Sequence, residues 1–390
     1  MDILTVSASP YRLESVARIH NFLIKELIDL GFSVESAVWG HDRYYYMPEQ
    51  ETGEYRFESR RSCKLYLLQD DQQKDVKRIY DLIQSKSPKV ILTIGDFNQV
   101  RWLSSIKQNY PELFKWVGIL PTDLSYFSTK DRDLVDLMDE AIVTNMYAYH
   151  LMCCNTPTNV TYAHPGVDEY FNNKEFKDSF EDLSIIGVLR NREQDNVAAF
   201  VSNLFWLNHD HDISFHAHLH TDDDEYDIQD FISYCNMEDY ITVTEKFYSI
   251  QEGPSDEWIR ELYSNADIIF DTSKSSSTSL SILEAMSCGC IPVGPYTSAN
   301  LDIVEELYGV SSYNFIRPDF SRDLIVSSRK GSLAIKDAYD DLLSEGISVK
   351  KNKYLKISKR FSRQEFVNKT ITSIKSSLVQ NRLVLPVNEL

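Results

Sequence analysis

Glycine is scarce, at 13 residues in 390. The chain therefore offers no long glycine-rich phosphate cradle, and the turn after its first strand-like run reads Ser7-Ala8-Ser9-Pro10-Tyr11 instead. Cysteine is scarce too. The six present show no zinc-finger spacing, since Cys153 and Cys154 are adjacent and Cys288 and Cys290 flank one glycine. They do not suggest a disulfide framework, and buried thiols in a reducing compartment are the expectation. No apolar run reaches the roughly 18 residues that a membrane-spanning helix needs. The N-terminus, Met1 to Pro10, lacks the basic and apolar regions of a signal peptide and reads as a first strand, which places the protein in the cytoplasm. Positive charge is short, with 40 Lys and Arg against 59 Asp and Glu and a net charge of −19. That balance weighs against a protein that coats nucleic acid or an anionic membrane. One local exception, residues 350–363 (KKNKYLKISKRFSR), holds seven basic residues and no acid, and leaves a nucleic-acid partner open.

A chain of this length exceeds one ordinary core, so two domains are expected. Strand-like runs at 3–8, 32–39, 89–95, 116–120 and 140–144 alternate with helical segments. In the first of these Val16, Ile19, Leu23, Leu27 and Leu30 recur at helical spacing before Gly31. A second series follows, with strands expected at 183–188, 213–219, 240–244, 266–270 and 290–294 and a helix over 256–265 with Ser255 as its N-cap. The βαβα rhythm predicts an α/β protein of two Rossmann-like, doubly wound domains facing a cleft. Residues 1–165 form the first, 166–182 a linker, 183–350 the second, and 351–390 a C-terminal helix and tail.

The stretch SSTSLSILEAMSCGCIPVG (276–294) carries the chemistry. A polar loop leaves the strand at 268–273 and enters a helix near Leu280. A helix N-terminus presents free N–H groups and partial positive charge, which suit a phosphate. Ser276, Ser277, Thr278 and Ser279 are small enough for close approach and can add hydroxyl bonds. Glu284, one turn inside, can accept both hydrogen bonds of a ribose diol. The plainer alternative is a set of helix-capping hydroxyls in front of a solvated acid.

Residues 261–294 resemble the donor-site motif of GT-B-fold retaining glycosyltransferases of the large family-four type (glycosyl transferases group 1). Glu284-Ala285-Met286, Gly289, Pro292 and Val293 match that motif. His164 to Phe171 is similar to the interdomain segment of the family, residues 185–196 to its arginine-bearing loop, and 118–124 to a strand end of its N-terminal domain. The resemblance implies transfer of a sugar, with retention and without a metal, from a nucleotide-diphosphate sugar to an acceptor hydroxyl of a glycan, lipid-linked sugar or small molecule. A UDP-sugar is the first guess for the co-substrate, and no other cofactor is implied. It also implies that Arg190 meets the diphosphate, that Ser276 to Leu280 and Glu284 bind the donor, and that residues 351–390 pack back on the first domain. Arg192 is the candidate for a second charge, because Asp195 stands where the family has lysine. The first glutamate of the motif falls on Ser276.

Asp123, at a strand end, is the candidate acceptor contact or assisting base, and a loop acid otherwise. Tyr11, His41, Tyr44 and Tyr45 are acceptor-side candidates, because aromatic side chains stack on sugars and bases. His216, His218 and His220 share one face of a strand, which either suggests a metal or is plain strand packing. His20, between Ile19 and Leu23, reads as structural. If helical, residues 353, 356, 360 and 363 share a face. Two further readings stay open: the acceptor is a modified nucleic-acid base, as in some viral enzymes, or the chain is a non-catalytic nucleotide- or glycan-binding relative.

Overall fold

The computed structural model describes residues 1–10, 15–40, 52–56, 62–68, 72–123, 127–171, 182–189, 195–221, 227–244, 256–316 and 322–379. The N-terminal strands are β1 (Ile3–Ala8), β2 (Val34–Trp39), β3 (Thr52–Arg56), β4 (Ser62–Leu67), β5 (Val90–Ile94), β6 (Lys115–Leu120), β7 (Glu140–Val143) and β8 (Asn159–Tyr162). They form one sheet in the order β3-β4-β2-β1-β5-β6-β7-β8, all parallel except for the β3–β4 pair. β1 and β5 are buried along their whole length, as a parallel strand covered on both faces must be, and this is why they read as mainly apolar runs, broken only by the small hydroxyl residues Thr5, Ser7 and Thr93.

Around this sheet lie α1 (Ser15–Asp29), α2 (Gln72–Lys86), α3 (Phe97–Val100), α4 (Ser104–Asn109), α5 (Thr129–Val135) and α6 (Met146–Cys153). In α1 the residues Ile19, Leu23 and Leu27 are buried at helical spacing, but Leu30 is exposed. The helix has already ended there, because Gly31 adopts φ +89 and lets the chain leave the helix. β3, β4 and α2 have no counterpart in the sequence reading. Polar and charged residues in β3 (TGEYR) and β4 (SCKLYL) hide these strands.

The C-terminal strands are β9 (Leu183–Val188), β10 (Phe215–His220), β11 (Ile241–Val243), β12 (Ile268–Phe270), β13 (Ile291–Pro295) and β14 (Tyr308–Val310). Their order is β11-β10-β9-β12-β13-β14, all parallel. The flanking helices are α7 (Val197–Asp210), α8 (Ile228–Tyr234), α9 (Asp256–Asn265), α10 (Leu280–Ser287) and α11 (Lys330–Glu345). A separate antiparallel pair, β15 (Ser312–Ile316) and β16 (Arg322–Val326), follows β14. The expected α/β fold of two Rossmann-like, doubly wound halves is thus observed. In the second half the strand order reverses between β9 and β12, and the crevice beyond their carboxyl ends is where such sheets take ligands.

Residues 350–363 do not form one helical face. The chain breaks into α12 (Ile347–Tyr354), α13 (Ile357–Arg360) and α14 (Arg363–Val379). Its charges are largely committed. Lys350 pairs with Asp341 and Glu345 at 3.1 and 2.9 Å, Lys351 with Asp267 at 2.7 Å, Arg360 with Glu306 at 2.8 Å and Arg363 with Asp168 at 2.6 Å. Lys353 and Lys356 stay exposed. α14 lies in the core of the first domain, where Phe366, Val367, Ile371 and Ile374 join Ile19 and Leu23 of α1 and Leu92 of β5. The chain therefore crosses between domains twice, near 163–168 and near 361–363. The crossings touch, because the Val167 N–H donates to the Phe361 carbonyl at 2.8 Å.

Candidate functional site

The loop 274–279 leaves the carboxyl end of β12 and meets α10 at Leu280. The Ser279 hydroxyl is not a helix cap. Ser279 sits at the N-cap position with φ 45 and makes no capping bond with its side chain. Its hydroxyl instead donates to Asn300 Oδ1 and lies 3.0 Å from the Ser276 hydroxyl, which accepts the Ser279 backbone N–H at 3.1 Å. The Ser276 carbonyl accepts from the Ser298 hydroxyl at 3.0 Å. The loop is thus cross-braced by its own short side chains and by the segment 298–300.

The first domain completes the bracing. Thr144 Oγ1 and Asn145 Nδ2 both donate to the Ser277 carbonyl, at 3.0 and 3.2 Å. Asn145 Nδ2 also donates to the Thr122 carbonyl at 2.7 Å, while its Oδ1 caps α6 by accepting from Ala148. One amide therefore ties the strand end that carries Asp123 to the serine loop. His164 Nε2 reaches the Thr278 carbonyl at 2.8 Å. Burial lowers the His164 pKa to about 4, so the ring is neutral at physiological pH. Nearby, Asp302 accepts from the Met146 N–H at 3.1 Å and from the Tyr162 hydroxyl at 3.0 Å, a further bond between the domains.

Glu284 is not a solvated acid. It is 2% exposed, and both its oxygens are taken by Arg18 of α1, with Nη2 2.7 Å from Oε1 and Nη1 3.2 Å from Oε2. Beneath the loop, Asp271 follows β12 and is buried, which raises its pKa, while Ser273 donates to it from both backbone and hydroxyl at 3.0 and 2.6 Å. The Ser273 hydroxyl also lies 3.4 Å from the carboxylate of buried Asp195. The Ser273 hydroxyl thus lies within reach of two buried acids, Asp271 and Asp195.

The candidate residues divide clearly. Ser276, Ser277, Thr278, Ser279, Leu280 and Glu284 come together at the domain interface. Asp123 is exposed three residues beyond β6. Tyr11, His41, Tyr44, Tyr45, Arg190, Arg192 and Ser255 lie outside the described residues. His216 and His218 bond Thr242 and Thr244 of the neighbouring strand end, and the rings of His218 and His220 pack against Trp258. His20 is buried, bonded to the Ala8 carbonyl at 2.8 Å and to Thr5, and held neutral with a pKa near 4 by burial. Arg18, Thr144, Asn145, His164 and Asn300 are the residues that sequence reasoning missed. Their partners lie far along the chain, and no local spacing marks them.

No family model matches the chain, and no curated protein matches it. Solved structures do. Sucrose-phosphate synthase from Thermosynechococcus elongatus superposes with a TM-score of 0.72 at 11% identity, over 98% of this chain and 100% of that one. The pneumococcal O-GlcNAc transferase GtfA, in complex with UDP and GlcNAc, gives 0.64 at 11% identity over 97% and 99%. The catalytic domain of starch synthase IV from Arabidopsis thaliana, bound to ADP and acarbose, gives 0.65 at 10% identity over 97% and 99%. At these identities the likeness establishes architecture, and the chain has the GT-B fold along essentially its whole length.

Proposed function

We propose that the protein is a glycosyltransferase that takes a nucleotide-diphosphate sugar between its domains and moves the sugar, with retention, to an acceptor hydroxyl of a glycan, lipid-linked sugar or small molecule. A UDP-sugar is the first choice of donor, no metal or further cofactor is required, and the protein acts in the cytoplasm. The observation that carries the reading is the pairing of an α10 N-terminus at the β9/β12 reversal with a carboxylate, Glu284, one turn further in.

The chemistry follows from that arrangement. Breaking the bond to the anomeric carbon builds negative charge on the leaving diphosphate, and preorganised donors must meet it. The first N–H groups of α10 and its dipole supply part of this. The family resemblance gives Arg190, with Arg192 as a second candidate, the role of supplying positive charge. Glu284 holds the ribose, and the braced loop keeps Ser276 to Ser279 in place without reorganisation. The diphosphate oxygen can take the acceptor proton, with Asp123 contacting or assisting the acceptor. Because the basic stretch 350–363 is largely spent on ion pairs, the geometry favours a sugar or small-molecule acceptor over nucleic acid. Asp195, where the resembled family has lysine, shares the Ser273 hydroxyl with Asp271 and favours a second reading, a nucleotide- or glycan-binding protein without transfer activity.

Calorimetry and thermal shift with UDP, GDP, ADP and their sugar conjugates test the proposal on the native protein and on Glu284→Ala. Binding of one nucleotide sugar, lost in the variant, is expected. No binding of any of them at millimolar concentration rejects the donor site. Binding without turnover against a panel of acceptors selects the second reading.

A further inference from the structure

We propose that Arg18 is a built-in competitor for the nucleotide: its guanidinium occupies the carboxylate that a ribose diol would take, and only a ligand that also offers a diphosphate displaces it at little cost. The inference rests on the donor-site reading above and adds the regulation of that site.

The pair joins the two domains. Arg18 belongs to α1 and Glu284 to α10, and the contact is bidentate, with one bond to each carboxylate oxygen. The Glu284 side chain is 2% exposed and that of Arg18 26%. While the pair stands, no face of the carboxylate is open to a ligand, whereas the outer side of the guanidinium still meets solvent. Asp256, at the start of α9, lies 3.9 Å from the same Nη2. Both acids favour the charged arginine. One turn along α1, Phe22 packs edge-on against Phe366 of α14 at 5.8 Å and lies under Arg363, which is itself paired with Asp168. α1 thus reaches the second domain through Arg18, while its next turn packs on α14 within the first domain.

A ligand that takes Glu284 must replace two N–H bonds in which donor and acceptor are both charged with two hydroxyl bonds in which only the acceptor is. It also leaves a guanidinium without its principal anion. A nucleoside makes that exchange at a loss. A nucleoside diphosphate does not, because it brings the replacement anion with it. The N-terminus of α10 at Leu280 is about 6 Å along the helix axis from Glu284, at 1.5 Å per residue, within the swing of an arginine side chain. The same cation thus leaves the carboxylate for the diphosphate as the ribose arrives. Discrimination between nucleoside and nucleoside diphosphate then comes from the resident pair as well as from direct phosphate contacts.

The test compares UDP with uridine, GDP with guanosine and ADP with adenosine by titration calorimetry on the native protein, Arg18→Met, Arg18→Lys and Glu284→Ala. Circular dichroism confirms that each variant is folded. Methionine keeps the apolar stem and removes the charge. For the base that the site accepts, Arg18→Met is expected to bind the nucleoside about tenfold more tightly, since the competing state is gone. The diphosphate is expected to gain nothing or to bind more weakly, so the ratio between the two collapses. Arg18→Lys, which keeps a charge but not the fork, is expected to fall between. If nucleoside and diphosphate change by the same factor, or the nucleoside weakens, Arg18 is an ordinary contact and the proposal is overturned while the donor site stands. If the native protein binds none of the six compounds, the donor-site reading itself has failed.

Discussion

His164 donates from Nε2 to the Thr278 carbonyl at 2.8 Å and accepts at Nδ1 from the Gly166 N–H at 3.0 Å. A carbonyl can only accept and an amide N–H can only donate, so the two partners fix the tautomer. One neutral ring thereby joins the first interdomain crossing to the loop that precedes α10. Replacing it with phenylalanine keeps the bulk, removes both bonds and leaves buried polar groups unpaired. His164→Phe is expected to lose about 2 kcal/mol of stability and to weaken nucleotide binding. His164→Gln, whose amide can still donate to Thr278, is expected to recover most of the affinity. Urea denaturation and calorimetry decide. Equal affinities in all three proteins would mean that the loop holds itself.

Acid sensitivity follows from two buried rings. His20 and His164 titrate near pH 4 in the folded protein and near 6.5 when unfolded. Between those values the unfolded chain binds protons that the folded chain refuses, so stability rises with pH across the window. Each ring is expected to cost on the order of 3 kcal/mol on going from pH 7 to pH 4. The check is the pH dependence of unfolding for the native protein and His164→Gln. The variant should show a shallower fall below pH 6.5, and an identical slope would remove His164 from the account.

Gly166 is the tightest point of the interdomain crossing. It adopts φ +73, and a Cβ there would run into the backbone of Ser362 and Arg363, with the Ser362 carbonyl only 2.7 Å away. Both the left-handed backbone and the overlap oppose any side chain. Gly166→Ala is expected to destabilise the protein by roughly 3 kcal/mol or more, read as a lower denaturation midpoint. A loss under about 1 kcal/mol would show that the two crossings part easily.

Lys351 tests whether the basic stretch is structural. It is 4% exposed and paired with Asp267, which is 8% exposed. Removing one member of such a pair leaves a buried charge uncompensated. Lys351→Ala is expected to cost about 3–5 kcal/mol in chemical denaturation. Exposed Lys353 should tolerate the same change within about 0.5 kcal/mol. Similar small losses at both sites would return the stretch to the status of a solvated face.

Much of the fold was legible because its strands are buried on both faces. Runs such as Ile3–Ala8 and Val90–Ile94 must be mainly apolar to sit inside a parallel sheet, so they stand out without help from their neighbours. β4 stayed hidden because the polar residues Ser62 and Lys64 break its run. Leu30 was misread because spacing cannot show where a helix stops. The serine loop and Glu284 were legible as a helix start with an acid one turn in, but their state was not. Local sequence made Ser279 a capping residue, whereas tertiary contacts turned its hydroxyl to Asn300.

What the sequence determined alone was therefore the alternation of strands and helices, the existence of two doubly wound halves, and the place along the chain where α10 begins. These depend on periodicity and on neighbours within a few residues. Which groups face Glu284, the Ser277 carbonyl and the Thr278 carbonyl was decided only when the domains came together. Arg18 and Glu284 are 266 positions apart, and His164 and Thr278 are 114 apart. A charge or a carbonyl constrains its partner by distance and direction in space, and nothing in the spacing of a chain records either until it has folded.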